Sequence, residues 1–110
     1  MAVTSINADG VIWGGGNRDV HCALIAACRD RIGETPFLTR FQRSFDDGYN
    51  SVVLEEETDE DVRAYRDCIV GLLERPEPLR PMFECYGEDK IRSALSELVY
   101  LIDRERLHAP

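Results

Sequence analysis

Thr35-Pro36-Phe37-Leu38-Thr39-Arg40-Phe41-Gln42-Arg43-Ser44-Phe45 is the stretch that decides the fold class. Its apolar residues stand at 37, 38, 41 and 45, within about 100° of one another on a helix, and the polar ones fill the other side. Strand alternation would place Arg43 among the phenylalanines, so the helical period prevails. Thr35 reads as the N-cap, Pro36 suits the first helical position, and Asp47-Gly48 ends the segment.

The same period extends in both directions. Upstream, a helix runs from an Asn17 cap to Ile32 with Gly33 as its stop. It gathers Val20, Leu24, Ala27, Cys28 and Ile32 on one face, which His21 and Ile25 widen. Downstream, Thr58 caps a helix reaching to near Arg75, with Val62, Tyr65, Ile69, Leu72 and Leu73 inward and Pro76 as its end. A last helix spans Glu88 to Arg106 on Ile91, Leu95, Leu98 and Ile102, with Val99 and Leu101 beside them. Pro76 to Gly87, with three prolines and the apolar Leu79, Met82, Phe83, Cys85 and Tyr86, reads as an ordered connection on the core. Met82 to Tyr86 is short enough there to be a strand.

β-prone pieces lie at Val3–Ile6 and Val11–Trp13, around the turn Asn7-Ala8-Asp9-Gly10. A further short strand fits Tyr49 to Leu54. The expectation is a mainly α (α+β) fold: one globular domain over residues 1–110, about four packed helices, and a small N-terminal β-hairpin.

The chain has 110 residues, 44% of them hydrophobic and 31% charged, the profile of a soluble globular protein. It contains no apolar run long enough for a membrane span and no secretory leader, so a cytoplasmic location is expected. Cys22, Cys28, Cys68 and Cys85 are separated by five, 39 and 16 residues, spacings that match no metal or redox motif, and reduced thiols are expected.

The net charge of −8 is concentrated in one place. Between Ser44 and Val62 stand Asp46, Asp47, Glu55, Glu56, Glu57, Asp59, Glu60 and Asp61 without one Lys or Arg, and the rest of the chain carries 13 acids and 13 bases. Asp46 and Asp47 are ordinary turn residues, and Asp59, Glu60 and Asp61 favour a helix start through the macrodipole. Glu55, Glu56 and Glu57 have no such local role. A solvated charged face is the plain reading; a docking surface for a basic partner, with Tyr49 as aromatic anchor, is the functional one.

Competing chemistry is weaker. The acids do not follow a calcium-loop pattern, since counting from Asp46 puts Ser51 where glycine is needed. His21 and Cys22 are neighbours whose side chains diverge by about 100° on a helix, so they form no dyad, and His21 reads as a core-edge histidine. His108 lies two residues from the end. Gly14-Gly15-Gly16 lacks the Lys-Ser/Thr of a phosphate loop, and Trp13 before it reads as a core lid. No cofactor, metal site or catalytic residue is expected, and a pI near 4.7 argues against direct nucleic-acid binding.

The expected function is therefore that of a small acidic cytosolic protein, an inhibitor or immunity-type protein rather than an enzyme. It would dock Asp46, Asp47, Tyr49, Glu55, Glu56, Glu57, Asp59, Glu60 and Asp61 on a basic protein such as a nuclease or another nucleic-acid-binding protein. The alternatives are an assembly subunit of an oligomer, using a helix face or the Leu79 to Tyr86 cluster, and a small enzyme built on His21.

Overall fold

Thr35 accepts a hydrogen bond from the Leu38 N–H at 3.4 Å, and with Pro36 in the first turn it starts α2, Pro36–Asp46. The computed structural model describes residues 3–5, 12–13, 18–47, 51–54 and 57–107. Within them, α1 (Arg18–Ile32) precedes α2, and α3 (Asp59–Glu74), α4 (Arg80–Tyr86) and α5 (Glu88–Ile102) follow. The chain is mainly α. α1 closes at Gly33, whose φ of 82° is the left-handed conformation glycine adopts without strain and whose N–H donates to the Arg29 carbonyl at 2.8 Å. Thr58 caps α3, accepting from the Asp61 N–H at 3.1 Å.

Two expectations about the second half need correction. There are five α-helices among the described residues, not about four, because Pro76 to Gly87 is itself helical. A 3-10 turn, Glu77–Leu79, leads directly into α4, and no strand forms at Met82 to Tyr86. Pro78 and Pro81 sit in opening turns, where the missing N–H has no carbonyl to serve, so they permit the helix instead of breaking it. Gly87, at φ 94°, then joins α4 to α5. The last helix also ends earlier as regular α-helix than Arg106: beyond Ile102 it widens into a π-helical turn, Asp103–Leu107.

Three short strands, β1 (Val3–Ser5), β2 (Ile12–Trp13) and β3 (Ser51–Val53), form a sheet in the order β2-β1-β3. β1 pairs antiparallel with β2, Thr4 opposite Trp13, and parallel with β3, Val3 opposite Ser51. The Asn7–Gly10 turn that would join β1 and β2 as a hairpin lies outside the described residues, as do Gly14–Gly16, Asn17 and His108. Nothing is described of the Trp13 side chain.

The core lies between the inner faces of the helices. α1 supplies Leu24, Ile25 and Cys28, α2 supplies Phe37, Leu38, Phe41 and Phe45, and α3 supplies Val62, Tyr65, Ile69 and Leu72. Leu79, Met82, Ile91, Leu95, Leu98 and Ile102 close it from the other side. Ile32, expected on the inner face of α1, is 40% exposed at its last position.

Arginines tie the last helix to α3. Arg66 grips Asp103 with two parallel bonds, Nε to Oδ1 at 2.9 Å and Nη2 to Oδ2 at 3.0 Å. At the other end, Arg92 of α5 donates from Nη1 to the Leu73 carbonyl at 3.1 Å and lies 5.4 Å from the Phe83 ring centre. Since Arg66 precedes Leu73 while Asp103 follows Arg92, the two helices run in opposite directions. Among the described residues, no helix is long and apolar enough to cross a membrane.

Candidate functional site: the acidic end of the helix bundle

Arg40 shows how the acidic segment is arranged. From the middle of α2 it donates Nε to Glu57 Oε2 at 3.1 Å and Nη2 to Glu57 Oε1, with a further bond from Nη2 to Asp61 Oδ2 at 3.3 Å. One turn back along α2, Phe37 packs edge-on to Tyr65, and Phe41 does the same at 5.1 Å between ring centres. Arg40 thus ties the middle of α2 to the segment entering α3 and to the first turn of that helix.

The other predicted acids stand at the end of α2 and in the first turn of α3. Asp46 and Asp47, where α2 stops, are exposed, with Asp46 accepting from Gln42 Nε2 at 3.0 Å. Asp59 and Glu60, in the first turn of α3, are exposed as well. Asp61 is half-exposed beneath Arg40. Tyr49, Glu55 and Glu56 lie outside the described residues.

Glu57 corrects the expectation that the three consecutive glutamates do nothing for the fold. Its side chain is only 8% exposed, against 50% for Arg40, and its backbone N–H donates to the Leu54 carbonyl at 3.1 Å. The guanidinium fork fits the carboxylate in two places and fastens the segment entering α3 to the side of α2. A carboxylate this enclosed loses stability when its cation is removed, though the exposed side of Arg40 keeps the loss below that of a fully buried pair. Arg40→Met is expected to lower stability by about 1–2 kcal/mol. Urea titrations check it: the double variant Arg40→Met/Glu57→Gln should recover part of the loss, and independent, additive effects would disprove the coupling.

The remaining predicted residues have other surroundings. His21 is not at the core's edge but completely buried, its ring stacked on Phe45 at 5.6 Å. Burial lowers its pKa from 6.5 to about 4, so it is neutral at physiological pH. All four cysteines are free thiols: Cys28 and Cys68 buried, Cys22 half-buried, Cys85 exposed. Among the described residues, no cluster of three or more His, Cys, Asp or Glu could hold a metal ion. No protein-family model matches this chain, and no curated protein or solved structure proves similar to it.

Proposed function

We propose that this protein acts by stoichiometric binding, as a small inhibitor or immunity-type protein that sets its acidic end on a basic surface of a protein partner. The reading is supported by the exposed Asp46 and Asp47 at the end of α2 and the exposed Asp59 and Glu60 in the first turn of α3, two helices that the Arg40 clasp joins. These acids come from two helices locked by the Arg40 clasp, so they present a preformed pattern and lose little freedom on binding. A partner whose Arg and Lys side chains are arranged for phosphate, such as a nuclease, accepts carboxylates in the same geometry. The field of the acidic end would also accelerate the encounter.

The test leaves the clasp intact. A variant with Asp46→Asn, Asp47→Asn, Asp59→Asn and Glu60→Gln keeps Glu57 and Asp61 on Arg40. Wild type and variant are immobilised and exposed to native lysate at low salt. The wild type is expected to retain a basic protein that elutes as salt rises, and association of that protein with the variant should be at least about tenfold slower. Retention of the same partners at the same salt by both proteins sinks the reading.

A second reading, an assembly subunit, draws on a shallow apolar groove of about 250 Å³ lined by Ala23, Pro81, Met82, Cys85 and Tyr86. It predicts a stable oligomer by sedimentation, lost on Met82→Glu; a monomer at all concentrations removes it.

A further inference from the structure

The corner where α4 meets α5 leaves a cavity of about 400 Å³ lined by Pro76, Arg80, Phe83, Glu84 and Glu88. Its size falls within the range of small-molecule sites. Gly87 makes the corner: its φ of 94° turns the chain, and its N–H donates to the Phe83 carbonyl at 2.8 Å. Part of the lining is fixed in place. Arg92 donates from Nε to Glu88 Oε2 at 2.8 Å and from Nη1 to the Leu73 carbonyl at 3.1 Å. Its guanidinium lies 5.4 Å from the centre of the Phe83 ring. The ring and the Glu88 carboxylate are thereby held, with Glu88 Oε1 left without a partner among the described residues.

The other two charged residues of the lining are not paired. Arg80 and Glu84 are exposed and stand one turn apart on α4, yet neither has a partner among the described residues. Their order along the helix accounts for this. A glutamate four residues before an arginine, as in Glu88 and Arg92, meets it readily, whereas the reverse order does so poorly. Counting Arg92, two positive and two negative charges surround one aromatic ring. A ligand of a single sign would meet as much repulsion as attraction there. A ligand that carries both signs close together, with an apolar group for the ring, would not.

We propose that this cavity binds a free α-amino acid with an apolar side chain, at a site that shares no residue with the acidic end. The α-carboxylate takes the Arg80 guanidinium, whose parallel N–H groups match two carboxylate oxygens. The α-ammonium donates to Glu84 and to the open oxygen of Glu88. Residues four apart on a helix are neighbours, about 5–6 Å between Cβ atoms, so Arg80 and Glu84 reach two charges borne on one carbon. The side chain lies on Phe83 and Pro76, the two apolar residues of the lining. An amino acid joined into a peptide loses one charge or both, and leaves the matching side chain of the cavity unanswered.

The experiment titrates the full chain with L-phenylalanine, followed by amide NMR spectra and by calorimetry. Saturable shifts are expected at Phe83, Glu84, Gly87 and Glu88, with slower deuterium exchange in α4. N-acetyl-phenylalanine lacks the ammonium and phenylalanine amide lacks the carboxylate; each should bind at least about tenfold more weakly. Arg80→Gln should weaken phenylalanine by about tenfold and abolish its advantage over the amide. Glu84→Gln should do the same for the acetylated form. Both side chains are exposed, so these variants keep the fold. If phenylalanine, leucine and methionine all fail to give saturable shifts up to about 10 mM, the proposal is overturned. Equal binding of the acetylated or amidated form overturns it too, since the cavity would then read only one end of the molecule or the ring alone.

Discussion

Acidification from pH 6.5 to about 4 is expected to remove about 3 kcal/mol of stability through His21 alone. The cause is burial. In the unfolded chain the imidazole takes up a proton as pH falls through its ordinary value of 6.5, whereas in the folded protein it stays neutral until about 4. Across that window the unfolded state binds more protons, so stability must fall with pH; below the window this group adds no further loss. Domains of this kind have roughly 5–15 kcal/mol to lose, so one side chain commands a large fraction. His21→Leu keeps the volume and removes the proton. Its urea-derived stability should fall between pH 7 and 4 by about 3 kcal/mol less than that of wild type. Parallel curves for the two proteins would show that His21 is not desolvated as its position implies.

The second large effect centres on Tyr65. It is fully buried and touches Phe37 and Phe41 edge-on, which makes it the aromatic joint between α2 and α3. Tyr65→Ala should cost about 3–5 kcal/mol, through lost burial and the cavity left behind. Tyr65→Phe keeps the ring and removes only a hydroxyl that has no hydrogen-bond partner among the described residues. It should therefore stabilise the protein, by about 1 kcal/mol. Thermal or urea unfolding of the two variants separates the contributions, and a Tyr65→Phe protein weaker than wild type would mean that the hydroxyl has a partner after all.

What could be read along the chain was whatever depends on near neighbours. The spacing of Phe37, Phe41 and Phe45 shows in the sequence because a helix brings residues three and four apart to one face. Thr35 and Thr58 are legible as caps for the same reason: each bonds an N–H three residues on. The short helix α4 had the same signature, with Leu79, Met82, Phe83 and Tyr86 in helical spacing, but three prolines outweighed it. Two of them sit in opening turns, where proline suits a helix, and the segment was read instead as an irregular connection with a short strand.

The site was legible in composition and not in pairing. Counting charges between Ser44 and Val62 finds the acids but omits Arg40, a cation that reaches Glu57 across 17 positions through the packing of two helices. His21 was placed at the margin of the apolar stripe of its own helix, and the packing of Phe45 from the next helix against its ring could not be read from that stripe.

The arginines that link α3 with the last helix have a consequence for motion. Arg66 holds the far end of α5 through Asp103, and Arg92 holds its near end against the close of α3. A helix secured at both ends cannot fray alone, so the backbone amides of its final turn should exchange with deuterium as slowly as those at its centre, and in step with α3. The seven residues of α4, set between Pro76 and the left-handed Gly87, have no such fastening at their start among the described residues and should open first. Local opening at α4, with α3 and α5 exchanging as a single cooperative unit, is the breathing mode this arrangement imposes.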